Sequence, residues 1–597
     1  MPSRLGTLGR RYLDSNSIGT KTALRGEQAQ PIPIGPPFGG YTPDLVAPVA
    51  GLASATYCTG LISKGGDLQQ DDGFAKVDSA RLPLGASTLP SGTPQAITGL
   101  FSSFDVSGTP GPMRLAMTCK GSDTTGRLYE LQNSNGQWAH RAAQGANTFG
   151  GTTTAATLFD YTYFPPAQSA AVTTGCAVLT NNVDQIMRYP SSAATTTYDL
   201  FDSSASYIAK SVEVSEDRVL ALNVNVAGTR YTTRLIWTNK GATPSFNTAN
   251  VGAGFSDFLD VKGQGLKVMN LGQLVALYFD SAVVVLQRTG IATDPFRRLY
   301  TSNERGLLST QSVVQLGSGV HFGIFTDGWF FFDDQARWEE IGITQVSGVN
   351  LHKWHKTFYE LLDWENKSRV TCVYDGVNRF IRIAFPTKGN TNPDMVWNYD
   401  LLTDSIWPDV NYGALAPNCW GSWYDIAQTG TTWDSFSGSQ TFDSPPLNAW
   451  DSYAGTRGRY RVQHGTTSGL VFKHDPQLVT RDGATGTYSY SSNQVPVGSN
   501  GLQKTSKRLV ISYTRQVNSS GGNPPPITGT LSADSGQSSS RTFQQTKGAL
   551  GTNQSEIIAA QVSGTNMGWA VSGSHPIKIT GAEIHITGRG QMNATDD

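Results

Sequence analysis

The chain is 597 residues long, with 29 prolines, 65 glycines and only 15% charged side chains, where about 25% is usual. Its 38% apolar content suffices for large cores and excludes wholesale disorder. A net charge of −1 argues against a nucleic-acid coat or a polybasic membrane binder, and no apolar run reaches the roughly 18 residues of a membrane-spanning helix.

The N-terminal MPSRLGTLGRRYLDSNSIGT has arginines but no apolar core segment, which excludes a secretory signal. Residues 1–50 read as a Pro/Gly-rich extended arm. Pro31, Pro33, Pro36, Pro37 and Pro43 favour polyproline-like chain that cannot join a central sheet. The arm is expected to dock on its own subunit or on a neighbouring one.

Residues 51–499 show strand-and-turn chemistry almost throughout. Looser copies at 113–138 and 212–237 flank 170–189, whose turn is Asn181-Asn182. The clearest unit is 271–290: a strand over 274–279, a turn at Asp280-Ser281, and a partner strand over 282–287. Its continuous apolar character predicts cover on both faces. Residues 311–335 repeat it around Thr326-Asp327-Gly328, and 368–385 around Asp375-Gly376. Taking Leu179, Leu220, Leu277, Ile324 and Val373 as equivalent places the units 41 to 57 residues apart. Such a period predicts an all-β, β-propeller-like body, with stacked sandwiches as the alternative.

From residue 500 to 597 the reading changes to a C-terminal antiparallel β-sandwich. Its expected strands lie in 507–516, 526–537 and 575–591, with Ile577, Ile579, Ile584 and Ile586 on a buried face.

Chemistry-bearing motifs are sparse. Cys58, Cys119, Cys176, Cys372 and Cys419 form no CxxC pair and are odd in number, which points to buried free thiols and folding in a reducing cytoplasm. There is no phosphate loop, nucleophile elbow, HExxH or GxGxxG motif. His352 and His355 have dihistidine spacing but lack a third ligand. Asp333-Asp334 and Glu339-Glu340 would point to opposite faces of a strand, the wrong arrangement for a convergent acid/base pair. Ser532-Ala533-Asp534-Ser535-Gly536 looks like the start of the Asp-box turn of sialidase-type propellers, but it carries Ser539 where that turn has Trp. Trp397, Trp407, Trp420, Trp423, Trp433 and Trp450 crowd together and read as packing of the last blades, with a sugar platform as one alternative and a base-stacking surface, weakened by the lack of interleaved Lys or Arg, as another. No catalytic, cofactor-binding or metal-ligating residue is assigned, and no cofactor is expected.

Residues 255–475 carry a family resemblance. The hairpin before Gly306 is followed by the Ser312-Val313-Val314 strand and the Asp327-Gly328 hairpin. A Trp397-Asn398-Tyr399-Asp400 strand then runs on to Trp407, and Trp-Asp units follow at Trp433-Asp434 and Trp450-Asp451. In that order they resemble the tail nozzle proteins (the tail tubular protein B type) of short-tailed bacteriophages.

The resemblance implies a structural virion protein and not an enzyme: a homohexameric ring below the portal and adaptor proteins, adjoining tail fibres or tailspikes. It would be assembled in the host cytoplasm, and its gated channel would pass genomic DNA without tight binding. A net charge of −1 suits such a wall, because each Lys or Arg contact to phosphate adds affinity that would retard the duplex. The competing readings are a receptor-binding tail protein and a polysaccharide-degrading one.

Overall fold

The computed structural model describes residues 30–35, 38–46, 50–64, 66–77, 96–105, 111–118, 127–132, 137–144, 149, 158–165, 175–190, 197–240, 244–317, 319–410, 412–425, 459–475, 478, 480–496, 504–516, 525–545, 551–574 and 576–588. The fold is all-β. The chain divides into two units, one of residues 72–345 and 355–484, the other of 1–71, 346–354 and 485–597.

Among the described residues, the first unit is a propeller-like ring of seven sheets; six are four-stranded antiparallel meanders, and the seventh has six strands, with Thr480–Arg481 pairing parallel to Gly73–Lys76. Blade 1 comprises Ile97–Asp105, Gly111–Thr118, Arg127–Leu131 and Trp138–Arg141, and blade 2 comprises Asp160–Phe164, Cys176–Thr180, Met187–Tyr189 and Asp199–Leu200. Blade 3 runs Tyr207–Ser215, Arg218–Val226, Thr229–Trp237 and Gly254–Asp257; blade 4 runs Gly265–Leu271, Leu274–Phe279, Val283–Arg288 and Phe296–Ser302. Blade 5 is Val313–Gly317, Val320–Ile324, Trp329–Asp333 and Trp338–Glu340, and blade 6 is Thr371–Asp375, Phe380–Phe385, Met395–Asp400 and Ser405–Asp409.

Blade 7 closes the ring. Its strands Cys419–Asp425, Arg459–Gly465 and Val471–Asp475 are completed by Gly73–Lys76, a strand from far upstream. Gly73 is needed there because a Cβ would meet the Thr480 carbonyl oxygen at 2.4 Å and that of Leu478 at 2.7 Å. On blade 1's side, Asn418 just before blade 7 donates to the Ile97 carbonyl at 2.7 Å.

Each blade is apolar on both faces because each face belongs to a different seam. In blade 4, Val275, Leu277, Val284 and Leu286 pack with Leu220, Leu222 and Trp237 of blade 3. Ala276, Tyr278, Val283 and Val285 pack instead with Val313, Phe330 and Phe332 of blade 5. Alternation along a strand sends successive side chains to opposite faces, so a two-sided sheet reads as a continuous apolar run. Between blades 5 and 6 the seam is aromatic: Phe322 stacks on Tyr399 at 5.9 Å, and Trp329 lies 6.3 Å from Trp397.

Four of the five positions taken as equivalent, Leu179, Leu220, Leu277 and Ile324, lie on the second strands of blades 2 to 5. Val373 does not; it lies on the first strand of blade 6. The cause is an insertion between blades 5 and 6, a hairpin of Ile343–Val346 and Val349–His352 followed by a short helix, His355–Leu361.

The second unit is a sandwich of two six-stranded sheets. One orders Leu61–Lys64, Asp67–Gln70, Lys578–Gly588, Lys504–Thr514 and Asn553–Gly564, with Gln30–Ile34 also on Lys578–Gly588; the other orders Ala55–Thr59, Thr487–Ser492, Asn566–Ser574, Ile527–Ala533 and Ser538–Phe543, with Val495–Pro496 also on Asn566–Ser574. The sheets face each other closely, since a Cβ on Gly529 would meet Ile558 at 2.2 Å and Ile511 at 2.6 Å in the opposite sheet. Ile577, Ile579, Ile584 and Ile586 are all buried.

Residues 500–597 therefore do not make the sandwich alone. Strands from 55–70 and 487–496 are needed to complete its sheets, which moves both expected domain boundaries. The arm differs from expectation as well. Gln30–Ile34 joins the first sheet as a true strand, pairing antiparallel with Ala582–Ile586 of the same chain. It can do so despite Pro31 and Pro33 because it lies at an edge, where missing N–H groups interrupt no second ladder. Ile34 and Phe38 are buried, with Phe38 packed 5.9 Å from Trp569 and 6.4 Å from Tyr490.

Candidate functional site: the propeller axis

The first strands of successive blades pack on one another about the axis, and one charge pair on them, Asp160 with Lys267, joins blade 2 to blade 4. Asp160 opens blade 2 and is buried. Its carboxylate accepts hydrogen bonds from the Ser211 hydroxyl and, at 3.1 Å, from the Val212 N–H in blade 3, and it is ion-paired with the Lys267 ammonium of blade 4. Ser211 Oγ in turn accepts the Val268 N–H at 3.0 Å. One carboxylate thus ties three consecutive blades. Farther around, the Gln311 side chain just before blade 5 donates to the Phe159 carbonyl just before blade 2, at 2.8 Å.

Glu213 stands two residues along from Ser211. Its Oε1 accepts from the Val214 N–H at 3.0 Å, Asn270 Nδ2 at 3.1 Å and Thr162 Oγ1 at 3.3 Å. Burial pushes its carboxyl up to about 7, against the pull of Lys267. Neighbouring Lys210 is shifted the opposite way, down, by burial and by the Arg230 charge. Removing either group from water disfavours its charged form.

The network continues into the blade 4–5 seam. Asn270 accepts from Arg288 at 2.8 Å, and its backbone carbonyl lies 2.8 Å from His321 Nε2. A carbonyl only accepts, so Nε2 carries the proton and Nδ1 is the acceptor for the Tyr278 hydroxyl. Burial holds the His321 imidazole down at about 4.

A second buried polar cluster secures the closing strand of blade 7. Arg481 is ion-paired with Asp409, with a 2.8 Å contact, and its guanidinium lies 4.9 Å from the Tyr412 ring centre. Tyr412 stacks on Phe74 of the closing strand at 5.3 Å. His464 Nδ1 lies 2.9 Å from His474 Nε2, and both rings are buried against Phe74. Burial lowers both imidazoles, His464 to about 3, and the Arg382 and Arg481 charges add to the effect. Two arginines facing the pair make it a poor cation site. Arg382, fully buried in blade 6, is held by Asp375 at 3.0 Å.

The residues singled out in the sequence lie elsewhere. His355 is buried and stacks on Trp329 at 6.1 Å, with Nδ1 3.7 Å from the Glu340 carboxylate. His352 is exposed and belongs to the sandwich unit. Asp333 organises a turn, accepting the Gln335 and Arg337 N–H groups at 2.9 Å and the Arg337 side chain at 2.8 Å, while Asp334 and Glu339 are exposed. Asp534 caps a neighbouring loop through the Thr565 and Asn566 N–H groups, so the Asp-box-like fragment acts as a turn within the sandwich. Trp397, Trp407 and Trp420 are buried. Trp423 lies in a blade 7 strand, and Trp433, Trp450 and Cys119 fall outside the described residues. Cys58, Cys372 and Cys419 are buried free thiols, and Cys176 is a partly buried one.

Sequence reading missed Asp160, Lys267, Arg382 and Arg481. The available signal was a charge set inside an apolar strand, as in Phe380-Ile381-Arg382-Ile383. Such a charge must find a partner once buried.

No protein-family model and no curated protein matches the chain. Among solved structures, the periplasmic gluconolactonase of Pseudomonas aeruginosa aligns with 12% identity over 59% of this chain and 93% of its own, at a TM-score of 0.31. The propeller-like description rests on the chain's own sheets. Among the described residues, no helix is long and apolar enough to cross a membrane.

Proposed function

We propose that this chain is a non-catalytic structural component of a phage virion, a subunit of a tail nozzle ring. The observation that carries the reading is the state of the propeller axis, the place where a propeller enzyme would hold substrate. Asp160 is occupied by three donors from blades 3 and 4, and Gln311 reaches the Phe159 carbonyl across the ring. These groups bind the blades to one another. A passage for duplex DNA would then form between copies of the chain, as the resemblance over residues 255–475 implies, with portal, adaptor and fibre proteins as neighbours.

Electron microscopy of the purified protein tests this directly. Closed rings with a central opening are expected, and at about 150 mM salt duplex DNA should bind no tighter than the non-specific range of about 10⁻⁴–10⁻⁶ M. Nanomolar, steeply salt-dependent binding would replace the conduit with a DNA-anchoring role.

One observation favours a second reading. Asp160 and Glu213 are carboxyl groups on adjacent blades, and burial lifts Glu213 to about 7. Carboxyl groups in such contrasting environments are the pattern of an acid–base pair in glycoside hydrolysis. Reducing-sugar release from host polysaccharide that disappears in Glu213→Gln would establish it.

A further inference from the structure

Beside the blade 3–4 seam, the outer strand of blade 4 and the loops flanking the outer strands leave four large apolar side chains in water. Val251, Leu259, Ile291 and Leu299 are between 57% and 87% exposed. They belong to one seam. Arg218 donates to the carbonyls of Gly252 and, at 2.9 Å, Ala292, which places Val251 beside Ile291. Arg298, next to Leu299, pairs with Asp260 at 2.8 Å and lies over Phe258, on either side of Leu259. Large apolar side chains left in water along one seam mark an interaction site. Its charge is unbalanced, because exposed Arg297 and Lys262 have no ion-pair partner among the described residues.

A complementary feature lies beside blade 6. Trp364 is 44% exposed and rigidly presented, stacked on Tyr359 at 5.8 Å with its Nε1–H donated to the Tyr359 carbonyl at 3.2 Å. Exposed Glu360 and Glu365 flank it with Asp363, outnumbering Lys356 and Lys367. The Glu365 carboxylate has no ion-pair partner among the described residues. A rigid aromatic anchor with a charged rim is the composition of an interface hot spot.

We propose that the blade 3–4 seam is covered by a second copy of this chain, which lays Trp364 on the apolar strip and sets Glu365 against Arg297 and Lys262. This rests on the ring reading above and specifies its contact. The two surfaces sit on different blades, so the contact is head-to-tail. Each copy keeps one free surface for the next neighbour, the arrangement from which closed rings are built.

Leu299→Asp and Trp364→Ser test it by sedimentation velocity. Both side chains are exposed, and melting curves confirm that each variant is folded. Each variant alone should be monomeric. An equimolar mixture should give a one-to-one dimer and nothing larger, because each variant retains the surface the other lacks. In a separate pair, Arg297→Glu should weaken assembly and added Glu365→Arg should restore it. Assembly that survives either single substitution, or a mixture without the dimer, overturns this contact and leaves the ring standing. Wild-type protein that stays monomeric up to its solubility limit overturns both.

Discussion

The Tyr278 hydroxyl donates to Nδ1 of His321 across the blade 4–5 seam at 2.7 Å, and the opposite ring nitrogen faces the Asn270 carbonyl. This arrangement accepts only the neutral imidazole. The folded value, about 4, lies below the ordinary 6.5. The unfolded chain therefore binds the extra proton first, and stability is lost as pH falls from about 6.5 towards 4. The loss is on the order of 3 kcal/mol for this group. His321→Leu should be less stable than wild type at pH 7.5, with a smaller drop in melting temperature between pH 7.5 and pH 4.5. An unchanged slope would show that the histidine does not titrate as argued.

Glu213 acts in the reverse sense. Its folded value, about 7, is above the ordinary 4.5, so the stability it lends at low pH is lost as pH rises from about 4.5 to 7. Glu213→Gln should raise the melting temperature relative to wild type at pH 8 and change it little at pH 4.5. Equal effects at both pH values would mean that the carboxyl is ionised throughout.

Val284 is fully buried between blades 3 and 4. Val284→Asp would place a charge there without a partner, at a cost of several kcal/mol. Soluble variant protein with the wild-type melting temperature would contradict the seam.

Closure of the ring depends on the buried Arg481–Asp409 pair beside Phe74 and Tyr412. Arg481→Met leaves Asp409 buried without its counter-ion, a loss of about 3–5 kcal/mol. Hydrogen exchange should then rise first in Gly73–Lys76 and Val471–Asp475. Uniform exchange across all blades would mean that the closing strand is not the point of opening.

The N-terminal strand gives a truncation test. Deleting residues 1–29 removes none of the described strands, and the melting temperature should hold. Deleting 1–45 also removes Gln30–Ile34 and Phe38, which is buried against Trp569 and Tyr490. Losing a buried phenylalanine alone costs about 3–5 kcal/mol. A folded sandwich with unchanged melting after the longer deletion would show that the strand is dispensable.

The sequence by itself determined the strands, the hairpin turns and the two-sided burial of blade 4, because these follow from apolar runs and turn chemistry within a few residues. The 274–279 and 282–287 segments and the Asp327-Gly328 turn lie where local patterning put them. Tertiary structure alone decided which distant segments complete a sheet. Gly73–Lys76 finds blade 7 and Gln30–Ile34 finds Ala582–Ile586 through backbone hydrogen bonds, which carry almost no side-chain signature. It also decided the pairing of buried charges: Asp160 and Lys267 are 107 residues apart, and only the closing of the blades brings them together, where the loss of water makes each require the other.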